Sequence, residues 1–175
     1  DHDIAHLLEY RSVLEEHFIV PLAHASVLER AMNKDTCFDV ARSCGLSLPT
    51  SKTVTNAIEL ESAVRQIEFP AILKPLYARQ WRRPIIWDLV GKQKALLFEN
   101  SAGLTAAYAR IREHEPVATI QQYIPGPEEN LVVFGSYCSS AGTVRAFFTG
   151  RKILQVPPLR GTGVVLEGCP VPEII

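Results

Sequence analysis

The 175-residue sequence has no apolar run near the roughly 18 residues needed to span a bilayer. Its start, Asp1-His2-Asp3, lacks a basic stretch leading into an apolar one, so no signal peptide is predicted. Cysteine is sparse, and Cys37, Cys44, Cys138 and Cys169 form no C-x-x-C pair. A secreted disulfide framework is denser. The four are therefore expected as reduced, mostly buried thiols of a cytoplasmic protein. Neither charge dominates: 18 Lys and Arg face 19 Asp and Glu, for a formal net charge of -1. That excludes a global attraction to nucleic acid or an anionic membrane. With 47% apolar and 21% charged residues, disorder, collagen and coiled coil are also excluded. There is no Walker-type loop, no G-x-G-x-x-G, no G-x-S-x-G and no zinc motif. His2 and His6 have the i,i+4 spacing of a helical metal pair, but they sit at a terminus without a third ligand nearby.

What is present reads as α+β. Ile4, Leu7, Leu8, Leu14 and Phe18 recur at helical spacing before Pro21. Ser26 to Glu29 has the form of a capping box. Cys37, Phe38, Val40, Ala41 and Cys44 suggest the buried side of another helix, which Gly45 ends as C′. Asn56 to Glu59 is a second box, ahead of the amphipathic set Ala57, Leu60, Val64 and Ile67. Phe69 to Pro75 reads as a buried strand delivering Lys74 at its end. Further strands are predicted at Lys94–Phe98 and Val117–Tyr123, with a helix marked by Leu104, Ala107, Tyr108 and Ile111 between them. The last third is strand-rich: Leu131–Cys138 and Thr143–Thr149 flank the turn Ser139 to Gly142, Arg151–Val156 extends the sheet, and Gly163–Glu167 is a final strand. Helices mixed with antiparallel hairpins argue against a doubly wound parallel sheet. Val171 to Ile175 looks like the start of a further helix, which suggests a piece of a longer protein.

Three constellations carry chemistry. From Lys74 to Lys94 there are six bases (Lys74, Arg79, Arg82, Arg83, Lys92, Lys94) and one acid, Asp88. Arg forks and Lys point charges suit phosphate. Like charges without an anion make 77–89 the expected least-ordered interior segment. For the arginines, a solvated loop is an equal alternative. Lys74 is different, because an unpaired ammonium at the end of an apolar strand is costly. The second constellation is Ile120-Gln121-Gln122-Tyr123-Ile124-Pro125-Gly126, followed by Glu128 and Glu129. A strand end there can show backbone groups to a flat heterocycle, though such turns are commonly only turns. The third is Arg151-Lys152, followed by Pro157-Pro158 and Arg160-Gly161-Thr162-Gly163, which either contacts phosphate or an acidic substrate or is an exposed strand end.

In order, these pieces resemble the ATP-grasp superfamily, most closely its carboxylate–amine ligase branch, from about Met32 to Gly168. The resemblance implies two α+β lobes with antiparallel sheets, the second incomplete. Residues 1–33 would be the helical tail of a preceding domain, 34–124 the first lobe and hinge, and 125–175 the start of the second lobe. It implies ATP as ligand, with Lys34 and Lys74 countering phosphate charge. Backbone at Gln122, Tyr123 and Ile124 would hold adenine, Glu128 or Glu129 the ribose, and Arg151 and Lys152 phosphate or a substrate carboxylate. Mg2+ is implied too, with ligands beyond residue 175 and none within the chain. The longer parent would join a small-molecule carboxylate to an amine (or thiol) through an acyl phosphate, and the present chain alone would be inactive. Two departures stand out. The loop 77–87 is bulky and basic where the family favours glycine and serine, and Gln121 stands where an acid is common. The alternatives are a non-catalytic nucleotide- or anion-binding regulatory module, and a scaffold whose basic loop touches RNA beside exposed aromatics.

Overall fold

The computed structural model describes residues 2–156 and 161–171, His2 by its backbone alone. Pro157, Pro158 and Arg160 of the third constellation lie outside the described residues, as do residues 172–175, where the sequence suggests a further helix. The chain divides into two compact units, Asp1–Tyr123 and Ile124–Ile175. No helix among the described residues is long and apolar enough to cross a membrane.

The first unit opens with α1 (His2–Glu9), α2 (Arg11–Glu15), α3 (Ala25–Met32) and α4 (Lys34–Ser43). The capping box predicted at Ser26 is instead a cap at His24. Its Nδ1 lies 3.4 Å from the Ser26 N–H and 2.9 Å from Ser26 Oγ, so the helix begins earlier. The Asn33 side chain caps α4, accepting from Asp35 N at 2.9 Å and Thr36 N at 3.3 Å. The other end of α4 closes as the sequence predicts. Gly45 adopts φ +78°, its N–H reaches the Arg42 carbonyl, and the Leu46 N–H reaches that of Ala41.

The cysteine expectation fails: Cys37, Cys44 and Cys138 are exposed and Cys169 half-buried. In α4 the inward side is Lys34, Phe38 and Ala41, at i, i+4 and i+7, which turns Cys37 and Cys44 outward.

Next come β1 (Ser51–Val54), α5 (Ala57–Val64), β2 (Ala71–Pro75), a 3-10 turn (Ala78–Arg82), α6 (Pro84–Leu89), β3 (Leu96–Phe98), α7 (Ser101–Ile111) and β4 (Ala118–Gln122). Asn56 caps α5 through Glu59 N at 3.0 Å, while the Glu59 carboxylate reaches one residue further back than a strict box, to Thr55 N at 2.7 Å. The sheet order is β1-β4-β2-β3, with every neighbouring pair antiparallel. Register and alternation give the sheet two unlike faces. Ala71, Leu73, Ala118, Ile120 and Val54 fall on one face and belong to a fully buried cluster with Leu60, Ala63, Leu104 and Tyr108. Thr53, Thr119, Gln121 and Lys74 fall on the other. The sequence of β4, Ala-Thr-Ile-Gln-Gln, writes that alternation out.

The segment 77–89 is folded rather than loose. Trp81 and Ile86 are both 1% exposed within the core, Gln80 accepts from Tyr77 N at 2.7 Å, and Arg83 pairs with Glu115 at 2.8 Å. Apolar residues threaded between the arginines outweigh the repulsion read from charge alone.

The second unit is an antiparallel meander of β5 (Val132–Cys138), β6 (Val144–Val156) and β7 (Thr162–Gly168), preceded by a 3-10 turn at Glu128–Asn130. The turn from β5 to β6 uses Gly142 at φ +77°. Gly135 has no room for a side chain, because a Cβ there would collide with the Phe148 ring opposite. On the other face Phe134 and Phe147 stack with ring centroids 5.9 Å apart.

Leu104 and Ile58 are both apolar helix residues, yet Leu104 is fully buried and Ile58, outside the amphipathic set of its helix, is 82% exposed. Leu104→Ala should lower unfolding free energy by about 2–5 kcal/mol. Ile58→Ala should change it by less than about 0.5 kcal/mol. Urea unfolding of both variants checks the pair.

Candidate functional site

The polar face of the first sheet is where chemistry collects. Lys74 stands opposite Thr119 in the central strand pair, and its Nζ donates to the Gln121 side-chain carbonyl. Its ammonium lies 5.4 Å from the centre of the Phe38 ring on α4. Lys34, in the first turn of α4, donates to the Leu76 carbonyl at 2.8 Å. The position of α4 is fixed from two sides. Asp35 accepts from Thr53 Oγ1 at 2.7 Å, which in turn contacts the buried Thr119 hydroxyl at 3.1 Å, and Asn33 donates to the Tyr77 hydroxyl at 2.8 Å. The sequence singled out Lys34 and Lys74 but not Asp35, Thr53 or Phe38. Those three matter only because a helix end and two strands, distant in sequence, meet here.

Burial sets the electrostatics. It pulls the Lys74 ammonium from 10.5 down to about 8; the neighbouring Lys34 charge adds to the drop, and Asp35 opposes it. Lys34 is also lowered, again chiefly by burial, with Asp35 opposing. Both lysines line a cavity of about 530 Å³ within the first unit, together with Arg79, Arg82 and Lys94. The basic cluster seen in sequence is thus divided. Arg83 leaves it for Glu115 and the His114 carbonyl, and Lys92 sits exposed at φ 59°. Trp81 is buried, and Trp87 takes the Arg82 guanidinium over its ring at 4.0 Å. The tryptophans that the RNA reading leaned on therefore lie on no exposed sheet.

At the end of β4 the amides are unequal. Gln122 N donates to the Thr50 carbonyl at 2.8 Å and Tyr123 N to the Pro70 carbonyl at 3.0 Å. The Ile124 N–H has no acceptor among the described residues. The Gln122 side chain donates to Glu68 at 3.2 Å, pointing to a surface role. In the second unit, Glu128 is half-buried and Glu129 exposed. Arg151 and Lys152 are consecutive in a regular part of β6, so their side chains leave opposite faces. Arg151 is exposed, whereas Lys152 is half-buried and packs against Gly163.

Among solved structures, the ADP complex of PurK, N5-carboxyaminoimidazole ribonucleotide synthetase, superposes with a TM-score of 0.62 at 18% identity, over 90% of this chain and 36% of that one. A RimK domain protein ATP-grasp from Sphaerobacter thermophilus gives 0.52 at 14% identity, over 81% and 47%. The chain has an ATP-grasp fold. D-Alanine-D-alanine ligase from Helicobacter pylori shares that fold, with a TM-score of 0.52 at 21% identity over 80% of this chain and 39% of that one. A curated D-aspartate ligase from Enterococcus faecium (strain Aus0004) is 26% identical over 154 residues, 85% of this chain but 36% of that protein. The chain thus spans about a third of the length of that relative. No family model matches.

ATP-grasp ligases in general use ATP with a divalent metal. Among the described residues no three His, Cys, Asp or Glu side chains converge, and a hard cation needs several oxygens at fixed positions. The described donor set does not fit a resident divalent cation.

Lys74 also makes the pH dependence of stability predictable. The unfolded chain keeps this proton up to about pH 10.5, while the folded chain releases it near 8. Between those values the unfolded state binds more protons, so stability rises with pH. Below 8 the charged, half-buried ammonium is a standing cost. Lys74→Met should therefore raise stability at pH 7 by on the order of 1–2 kcal/mol, and the gap should shrink as pH climbs from 8 toward 10.5. Urea unfolding of both proteins across that range measures it.

Proposed function

We propose that this chain is the nucleotide-binding part of an ATP-dependent ligase that joins a small-molecule carboxylate to an amine. The carrying observation is the pair of half-buried ammonium groups, Lys34 and Lys74, converging on one cavity, where Asp35 offsets the charge of each only in part. Such a pair is unfavourable by itself and favourable once phosphate oxygens lie between. The likeness to a D-aspartate ligase supports the reaction class.

In this reading the terminal phosphates of ATP lie against Lys34 and Lys74. Gln121 holds the Lys74 ammonium in place, and Asp35 anchors the start of α4. The Ile124 N–H, unlike those of Gln122 and Tyr123, has no acceptor among the described residues and can donate to an adenine ring nitrogen. By the resemblance alone, Glu128 or Glu129 is the candidate acceptor for ribose hydroxyls, and Arg151 and Lys152 are candidates for phosphate or substrate. A carboxylate oxygen of the acid attacks the γ-phosphorus, the bond to the β-phosphate bridge breaks, and ADP departs. The amine then attacks the acyl carbon, phosphate leaves with the bonding pair, and the amine loses a proton. The lysines favour the first step electrostatically, since negative charge gathers on the phosphoryl oxygens as the bond breaks. The acceptor, the metal ligands and turnover itself belong to a longer parent, and the 175-residue chain alone is expected to be without ligase activity.

Calorimetry with ATP, with and without magnesium, tests the binding half. Lys74→Met should weaken nucleotide binding by about 2–3 kcal/mol while stabilising the fold, the signature of a group held in place for a ligand. An Ile124→Pro change should abolish adenine recognition by removing the donor, whereas Gln122→Ala should leave it within about twofold. Equal tolerance of the two would show that the hinge holds no adenine. ADP release by the longer parent, dependent on both acid and amine, tests the chemistry. Nucleotide binding without such release would instead make this a regulatory module.

A further inference from the structure

The surroundings of Lys74 favour a bare amine over an ammonium. The side chain is half-buried at the end of β2, its Nζ donates to the Gln121 side-chain carbonyl, and the Phe38 ring faces it at 5.4 Å. Most charges around it are positive. Lys34 and Lys94 line the same cavity, as do the exposed Arg79 and Arg82. Against these stand Asp35 on α4 and the exposed Asp3. Burial first, and the Lys34 charge second, bring Lys74 down to about 8. At pH 7.5 such an amine is neutral in about a quarter of the molecules, against roughly one in a thousand at the ordinary 10.5. A neutral lysine held in a fixed place is a nucleophile. Gln121 accepts one of its N–H groups and leaves the nitrogen lone pair unused. A carboxylate at that position would instead hold the proton on the amine. The sequence has an amide there, where the family it resembles commonly has an acid.

We propose that Lys74 is a covalent acylation site for small free acyl phosphates, which enter the cavity when no nucleotide fills it. The cavity of about 530 Å³ has room for such a molecule, and its cations suit the phosphate end. The Nζ lone pair attacks the acyl carbon, and the bond from that carbon to the bridging oxygen breaks. Phosphate leaves with the bonding pair and takes the amine proton. The products are an amide on Lys74 and inorganic phosphate. The neighbouring cations stabilise the charge that gathers on the departing phosphate. The amide suits the site better than the ammonium did. It keeps one N–H for Gln121, its acyl chain has the Phe38 ring to pack on, and the lysine pair loses one of two like charges. Bound nucleotide phosphates would hold the proton on Lys74 and so protect it. On the ligase reading, acylation removes a charge that holds ATP and acts as a covalent off-switch. The acylation itself stands on the cavity and does not need that reading.

The test treats the full chain with acetyl phosphate at pH 7.5 and follows each lysine by peptide mass spectrometry. Trypsin does not cut between Lys74 and Pro75, so the peptide 66–79 carries Lys74 whether acetylated or not, and the ratio of its two forms gives the rate directly. The exposed Lys52 and Lys92 serve as internal references. Lys74 should react about tenfold faster than either, or more. Its rate should saturate with acetyl phosphate, inorganic phosphate should compete, and urea should erase the preference. Gln121→Glu should slow Lys74 by about tenfold and leave Lys52 and Lys92 unchanged. Equal rates at the three lysines overturn the proposal. So does a Lys74 rate that rises linearly and ignores inorganic phosphate, and so does an unchanged rate in Gln121→Glu. The two readings fail separately. ATP binding by calorimetry without preferential acetylation rejects the acylation site and leaves the nucleotide site standing. Saturable acetylation of Lys74 in a chain that binds no ATP rejects the nucleotide reading and retains the acylation site.

Discussion

A half-buried ammonium is the constraint from which the rest of this structure follows. Lys74 sits at the end of a central strand, partly withdrawn from water and close to a second lysine. Everything around it reduces that cost without cancelling it. Gln121 accepts from the ammonium, the Phe38 ring faces it, and Asp35 contributes a single negative charge against two positive ones. Chains rarely keep such an arrangement for stability, since an apolar residue of similar volume would fold better. It is kept where a ligand completes the charge balance.

That constraint explains why the first sheet has two unlike faces. One face joins the helices α5 and α7 in a closed apolar core, with Leu104 and Tyr108 buried. The other is lined by threonine, glutamine and lysine, and the N-terminal turn of α4 is bound to it through the Asp35–Thr53–Thr119 chain. The basic 77–89 segment then covers the lysines from the side. It does so as folded structure, because Trp81 and Ile86 anchor it and Arg83 is tied to Glu115. A pre-folded cover loses less entropy on meeting a ligand than a loose loop would.

The sequence alone determined the local periods and their punctuation. The α+β class, the strand ending in Lys74, the Gly45 helix stop, the β5–β6 hairpin and the resemblance to ATP-grasp are all written in residues close together in the chain, where backbone sterics and side-chain alternation act. Lys34, Lys74 and the Gln122–Ile124 hinge were legible as candidates for the same reason. Only tertiary structure decided which charges meet. It separated Arg83 and Lys92 from Arg79, Arg82 and Lys94, turned Cys37 and Cys44 outward, and ordered a segment that charge counting predicted to be loose. It also committed the Gln122 and Tyr123 amides to neighbouring carbonyls, sent Arg151 and Lys152 to opposite faces, and left the Trp81 indole without an acceptor among the described residues. Each of these depends on partners many residues away. Burial and the Coulomb interaction act through space, and no local pattern records which distant groups will share a cavity.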